Sequence, residues 1–399
     1  MTTSMSDTGF PSGLRAAFPA LNQLTYLDVA ARCVLSRATR AALDAHLDDH
    51  MLRGGDKSRF LATVERVRTR FAELIHADAT EIAMTKNISE GLNMVATGID
   101  WRPGDNVVVC PELEHPNNVY PWLNLRSRGV DVRFVKSHDG SMPVEDMIAA
   151  MDARTRCLTA SSVSLAPGFR TDVDTLGDAC RARGVLFLVD AAQSVGIMHT
   201  DVRASKIDAL AVSTQKGLLG PYGMGFLYVR REWADTMHPA YLARFGVDVG
   251  QAHEAALGDH EFKLAAGARR FDLGNYNFAA AAAVDASIVQ LLDLGTPRIE
   301  QYVTGLSRAL AQGFLDLGMP VVGGAPGAHL ANIVTVGTIS ANYYGTDDDR
   351  FNRLYAHLGE NNVRLSLRRG MLRFSFHAYN NMDDVARVLE LSREFMSAS

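Results

Sequence analysis

Residues 186–216 read LFLVDAAQSVGIMHTDVRASKIDALAVSTQK. The apolar run Leu186–Val189 stops on Asp190, and Gln193 follows shortly after. A second apolar run, Ile207–Val212, leads through Ser213, Thr214 and Gln215 to Lys216. Short apolar runs bounded by polar residues read as buried parallel strands. Each run ends by presenting polar groups where a strand stops, which is where open α/β sheets hold their ligands. Taken singly, Asp190 reads as a turn or cap residue and Lys216 as a solvated amine. Together they form the pair that pyridoxal phosphate requires. The lysine makes a Schiff base, and the acid keeps the pyridine nitrogen protonated so that the ring can accept electrons from a bond broken at Cα.

On the N-terminal side, strands are expected at 81–85, 106–110, 130–135 and 156–164, with helices at 36–51, 60–75, 144–151 and 174–183 between or before them. Ser36 can cap the first helix, and Gly184 stops the last. Lys86-Asn87-Ile88-Ser89-Glu90-Gly91 is a strand–turn–helix junction. Its free N–H groups and helix dipole suit an anion such as phosphate, although an ordinary N-cap has the same composition. Glu114-His115-Pro116-Asn117-Asn118 follows a strand, where an imidazole can stack on a pyridine ring and relay protons. On the C-terminal side, Gly220-Pro221-Tyr222-Gly223-Met224-Gly225 is a tight loop before a strand at 226–229. Strands alternating with helices predict a mostly parallel, doubly wound sheet. No G-x-G-x-x-G or Walker A sequence occurs, which argues against a nicotinamide oxidoreductase.

The rest of the chain changes pattern. Residues 233–267 have weak periodicity, and their His253-Glu254 and His260-Glu261 pairs match no metal motif, so no metal site is expected. The alanine-rich segment starting at Phe278 reads as a helix packed between lobes. Beyond it, helices at 299–317, 348–360 and 383–396 and strands at 333–336, 363–367 and 372–375 predict a smaller α+β lobe. The expected organisation is an N-terminal arm (1–25), a large cofactor-binding domain (26–285) and a small C-terminal domain (286–399).

The 399 residues are 47% hydrophobic and 21% charged, with a net charge of −5. This composition points to a globular protein and to neither a nucleic-acid nor a membrane partner. The four cysteines, Cys33, Cys110, Cys157 and Cys180, fit neither a zinc site nor a disulfide framework, and all lie in the first half of the chain. Reduced thiols and the absence of a basic-then-apolar leader give the expectation of a cytoplasmic protein.

The motifs YLDVAA, TKNISEGLN, EHPNNVYPW, VDAAQSVG, STQKGLLGPYGMGFLYV, ARRFDLGN and LRFSFHAYNNMDDV, in this order, resemble the class V aminotransferases of the aspartate-aminotransferase fold. That family includes cysteine desulfurases, selenocysteine lyases and isopenicillin N epimerase. The resemblance implies pyridoxal 5'-phosphate as cofactor and fold type I of the enzymes that use it. It also implies a role for each matching residue. Lys216 corresponds to the Schiff-base lysine, Asp190 to the partner of the ring nitrogen, Gln193 to the donor to the ring hydroxyl and His115 to the stacking histidine. Ile88 (through its backbone), Ser89, Ser213 and Gln215 occupy the phosphate-holding positions. Asn275 stands where the family places a Thr that reaches the partner subunit's phosphate, so a homodimer with shared active sites is expected. Arg373 corresponds to the clamp on the substrate carboxylate, with Ala31 and Arg32 beside the substrate. Tyr222, Arg364, Arg368 and Arg369 are further candidates for the pocket wall.

Desulfurases of the family use a nucleophilic cysteine on a loop of the C-terminal lobe, and this chain has no cysteine after Cys180. The sequence reading therefore favours an amino-acid aminotransferase and argues against persulfide-forming desulfuration. C–S or β-elimination lyase and epimerase activity are the alternatives, and a non-catalytic cofactor-binding protein comes last.

Overall fold

The computed structural model describes residues 13–248, 250 and 262–398. Seven of its strands form one sheet: Ile82–Thr85 (β1), Asn106–Val109 (β2), Asp131–Phe134 (β3), Thr155–Ser161 (β4), Leu186–Asp190 (β5), Ala209–Ser213 (β6) and Gly225–Val229 (β7). Their spatial order is β1-β7-β6-β5-β4-β2-β3. Every neighbouring pair is parallel except those made by β7, which runs against both β1 and β6.

Both faces of the sheet are covered at its centre, which is why the central strands Leu186–Asp190, Ala209–Ser213 and Gly225–Val229 are almost wholly apolar and fully buried, while the edge strand Asp131–Phe134 has exposed residues. Val107, Val109, Leu186, Leu188, Ala209 and Ala211 join one buried cluster. The intervening Val108, Phe187, Val189, Leu210 and Val212 join a second, larger one. Each fully buried aliphatic side chain of this kind contributes about 1.5–3 kcal/mol relative to exposure.

Local signals set the helix ends. Ser36 accepts a bond from Thr39 N and starts the helix Arg37–Arg53, and Gly54, at φ 76°, follows its last turn. The next helix begins at Lys57, earlier than the apolar spacing predicts, because the Asp56 carboxylate accepts from Ser58 N and Arg59 N. Gly184, at φ 64°, closes the helix Val173–Arg183.

The C-terminal lobe has a three-stranded antiparallel sheet of Ile333–Gly337, Met371–Ser375 and Ser366–Arg368, with Met371–Ser375 in the middle. The helices Thr296–Asp316, Asp349–Glu360 and Met382–Ala398 pack around it. The strand expected at 363–367 is two pieces. Val363–Arg364 pairs in parallel with Thr25–Tyr26, while Ser366–Arg368 pairs with Met371–Ser375. A single sequence run cannot show that a distant segment takes its first half. Thr25–Tyr26 thus ties the start of the chain to the C-terminal lobe, and the helix Phe278–Leu294 runs through the position where the sequence divides the two domains. Between Trp233 and Gly267 the described residues include the short ladder Val247–Asp248 with Lys263–Leu264. His253, Glu254, His260 and Glu261 lie outside the described residues. Among the described residues no single helix is long and apolar enough to cross a membrane.

Candidate active site

Three adjacent strands end in polar residues at the same edge of the sheet. Ser161 closes β4, Asp190 closes β5 and Ser213 closes β6, with Ser161 opposite Asp190 and Asp190 opposite Ala211. The turn after β1 leads to the helix Ile88–Gly98, capped by Asn87, whose side chain accepts from Glu90 N. Ile88 N at its start donates to Ser213 Oγ at 2.8 Å. These carboxyl ends border a cavity of about 640 Å³.

Nearly all of the residues proposed from the sequence meet there. Lys216, Asp190, Gln193, His115, Ile88, Ser213, Gln215, Arg373, Ala31 and Arg32 line the cavity. Ser89 does not line it and stands half-buried on the helix behind Ile88. Asn275, at φ 45°, borders a different cavity with Thr85, Lys86, Glu90 and Tyr276. Of the further candidates for the wall, Tyr222 and Arg368 are in place. Arg364 donates instead to Gly359 O, and Arg369 to Glu112 O.

Several residues of the site escaped the sequence reading. Ser161, Asn117, Tyr343 and Tyr344 border the cavity. Glu114 sits behind it and accepts from Ser161 N, Ser161 Oγ and Asn118 Nδ2 at 2.6, 2.6 and 2.7 Å. Burial, and then the Asp190 charge, push Glu114 above the usual carboxylate range. The signal for Glu114 is its place before His115 in a run of polar residues that follows a strand. Tyr343 and Tyr344 stand in a loop of the other lobe and carry no such signal.

The electrostatics follow from burial. Asp190 is raised by desolvation, against which Ala192 N donates to its Oδ1 at 3.0 Å and Lys216 adds a positive charge. Desolvation, against the Asp190 charge and together with Arg373 and Arg368, lowers the Lys216 ammonium to about 8. His115 is lowered by burial, then by Lys216 and Arg368, so it is neutral near pH 7. Asn117 N donates to its Nδ1 at 3.1 Å, which leaves the ring hydrogen on Nε2. Arg373 is buried with its fork held by two bonds, Nε to Ser366 Oγ at 3.0 Å and Nη1 to Leu165 O at 2.9 Å. Its Nη2 lies 3.9 Å from Asp28 Oδ1, an oxygen with no hydrogen-bond partner.

This donor set fits pyridoxal 5'-phosphate. A lysine of lowered basicity and a buried carboxylate stand on adjoining strand ends. Gln193 Oε1 is buried without a partner, while its Nε2 donates to Ala30 O at 3.2 Å, so the amide offers a ring hydroxyl an open acceptor rather than the donor that the resemblance implies. Gln215 and the Ser213 hydroxyl, whose oxygen accepts from Ile88 N at the start of a capped helix, supply donors for a phosphate.

A model of the aminotransferase class-V family matches residues 26–388. The chain is 35% identical over 298 residues to a probable cysteine desulfurase of Methanothermobacter thermautotrophicus, covering 72% of each chain. It is 29% identical to a probable cysteine desulfurase of Pyrococcus abyssi, over 97% of this chain and 98% of the other. The apo structure of a cysteine desulfurase from Thermococcus onnurineus NA1 superposes with a TM-score of 0.85 at 26% identity, over 99% of this chain and all of the other.

These relatives overturn the functional expectation drawn from the sequence, which favoured transamination and excluded persulfide-forming desulfuration. The error lay in what a missing cysteine can decide. A resident thiol governs where the sulfur goes, whereas the strand-end residues and the arginine clamp govern which bonds of the substrate are activated.

Proposed function

The chain belongs to the aminotransferase class-V family and is a pyridoxal-phosphate enzyme, and on that premise we propose that it cleaves the C–S bond of cysteine. The observation that carries this reading is the 35% identity, over 72% of both chains, to a relative named as a probable cysteine desulfurase.

In this reading Lys216 carries the cofactor, Asp190 faces its ring nitrogen and Gln193 its hydroxyl. Ser213 and Gln215, beside the helix start at Ile88, are assigned to its phosphate, and Ser89, which does not line the cavity, is not. When bound, the cofactor takes up the electron pair released at the substrate's Cα. The Lys216 amine, drawn toward neutrality by burial, is the base for the Cα proton. Arg373 has its Nε and Nη1 committed to the protein, so Nη2 is left for the substrate carboxylate. His115 presents an Nε2–H donor from a neutral ring. The test is to incubate the purified protein with the cofactor, L-cysteine and a reductant. Alanine and sulfide in equal amounts are expected, and a keto acid with no alanine overturns the reading.

The same reading includes a homodimer. Asn275 borders a cavity separate from that of Lys216, so it serves a phosphate only across a subunit boundary. Sedimentation of the active protein at the mass of a dimer is expected, and an active monomer overturns this part.

A further inference from the structure

We propose that the sulfur is accepted by a small, separate thiol that carries a carboxylate, bound at the arginine-lined mouth of the cavity. This rests on the desulfuration reading and deepens it.

None of the residues lining the cavity is a cysteine. All four cysteines of the chain are among the described residues, and each is accounted for elsewhere. Cys110, Cys157 and Cys180 are in the core. Cys33 is half-buried, its Sγ directed to Gly220 O at 3.4 Å, and burial pushes its thiol up to about 12. A thiol so rarely ionised is a poor nucleophile.

The mouth has more positive charge than the amino acid needs. Cysteine brings one carboxylate, for which Arg373 is placed. Among the described residues Arg32 is exposed and makes no ion pair, and Arg368 stacks over the Tyr344 ring at 5.4 Å with no carboxylate at ion-pair distance, although Asp28 acts on both from farther off. Both line the cavity. Arg368 also acts electrostatically on Lys216, His115 and Asp28, which places it beside the reacting groups. Two guanidiniums left over next to the chemistry, in a wall with no thiol, suit a second anion that brings its own sulfur.

The step balances without an outside oxidant. The thiol sulfur bonds to the cysteine sulfur, and the Cβ–S bond breaks with its electron pair staying on carbon. The proton lost by the thiol ends on Cβ. Cysteine and RSH become alanine and RSSH, so sulfur is oxidised as Cβ is reduced.

The experiment uses the cofactor-loaded protein with L-cysteine and, in separate arms, an excess of 3-mercaptopropionate, 2-mercaptoethanol or cysteamine. Alanine is quantified, persulfides are trapped by alkylation, and the intact protein is weighed after turnover. A further arm supplies L-cysteine sulfinate without thiol, because its sulfur leaves as sulfur dioxide and needs no acceptor. The expected result is alanine formation that rises with 3-mercaptopropionate and saturates, with the sulfur recovered on that thiol and no sulfur added to the protein. Its kcat/KM should exceed that of cysteamine on the order of fivefold, a preference that Arg32→Ala and Arg368→Ala each reduce. Protein carrying an extra sulfur atom on Cys33, or alanine formation indifferent to every thiol, overturns the proposal while leaving desulfuration standing. No alanine in any arm, sulfinate included, overturns desulfuration itself.

Discussion

The floor and the mouth of the cavity are built on different principles. At the floor, polar groups project from strand ends and are held by the backbone. Asp190 accepts from Ala192 N, and in the layer behind it Glu114 accepts from Ser161 N and His377 is fixed between Ala378 N and Gly217 O. At the mouth, Arg32 and Tyr222 are exposed, and Arg368 leans on Tyr344, itself 80% exposed. Buried groups with fixed partners set the protonation states of the chemistry. Exposed groups on loops can only select what arrives. Substitutions at the floor should therefore cost orders of magnitude, and those at the mouth should alter preference.

The largest effect is expected at Lys216. Lys216→Ala should lower alanine formation at least about 10³-fold, since both the attachment point and the base for Cα are lost. Borohydride reduction should leave the cofactor's mass on the wild type and none on the variant. Next comes Arg373, where the floor meets the C-terminal lobe. Arg373→Gln should raise KM for cysteine by about 10²-fold with a smaller change in kcat. Arg373→Lys should restore little, because the fork on Ser366 and Leu165 needs a planar guanidinium. Equal losses in KM and kcat would mean that Arg373 shapes the site rather than gripping the carboxylate.

The same division governs what could be read in advance. Asp190, Ser213 and Lys216 were visible because an apolar run that stops on a polar residue marks a buried strand end. Alternating strands and helices gave the sheet for the same reason. Asp28, Ser366 and Leu165 around Arg373 were not visible, because the contact between Leu165 and Arg373 spans 208 residues and no local pattern encodes it. The split of 363–367 into two strands depends on Thr25–Tyr26 in the same way. Arg364 and Arg369 were candidates for the pocket wall alongside Arg368, yet neither lines the cavity. Arg369 instead sits in a turn at φ 49° and caps Glu112 O. Desulfuration was wrongly excluded because a residue's absence was read as the absence of a reaction.

A third prediction tests whether the floor is as rigid as its hydrogen bonds imply. His377, in the C-terminal lobe, has Nδ1 accepting from Ala378 N at 2.7 Å and Nε2 bonded to Gly217 O at 2.9 Å, next to Lys216. A second proton would set an N–H against an N–H, and burial holds the ring at about 4, down from 6.5. Between those values the unfolded chain binds a proton that the folded chain refuses. The neutral ring's contribution is thus complete above the unfolded value and is lost as pH falls through and below it. From about pH 7.5 to pH 5 this amounts to about 2 kcal/mol. Urea unfolding of the wild type should show this loss, and His377→Gln, less stable at neutral pH, should lack that part of the slope. Equal slopes would mean that the His377 pocket opens to water.

The smallest effect is expected at the edge of the mouth. Tyr344 stacks beneath the Arg368 guanidinium at 5.4 Å, but most of its surface meets solvent. A cation–π contact so exposed contributes about 0.5–1 kcal/mol. Tyr344→Ala frees Arg368 to move without removing its charge. The urea midpoint should fall only slightly, KM for cysteine should be unchanged, and KM for 3-mercaptopropionate should rise less than about fivefold. Tyr344→Phe, which keeps the ring face, should behave as wild type. If Tyr344→Ala instead lowered kcat as strongly as the floor substitutions do, the loop would be closing over the reacting groups, and the mouth could no longer be treated as a selector separate from the chemistry beneath it.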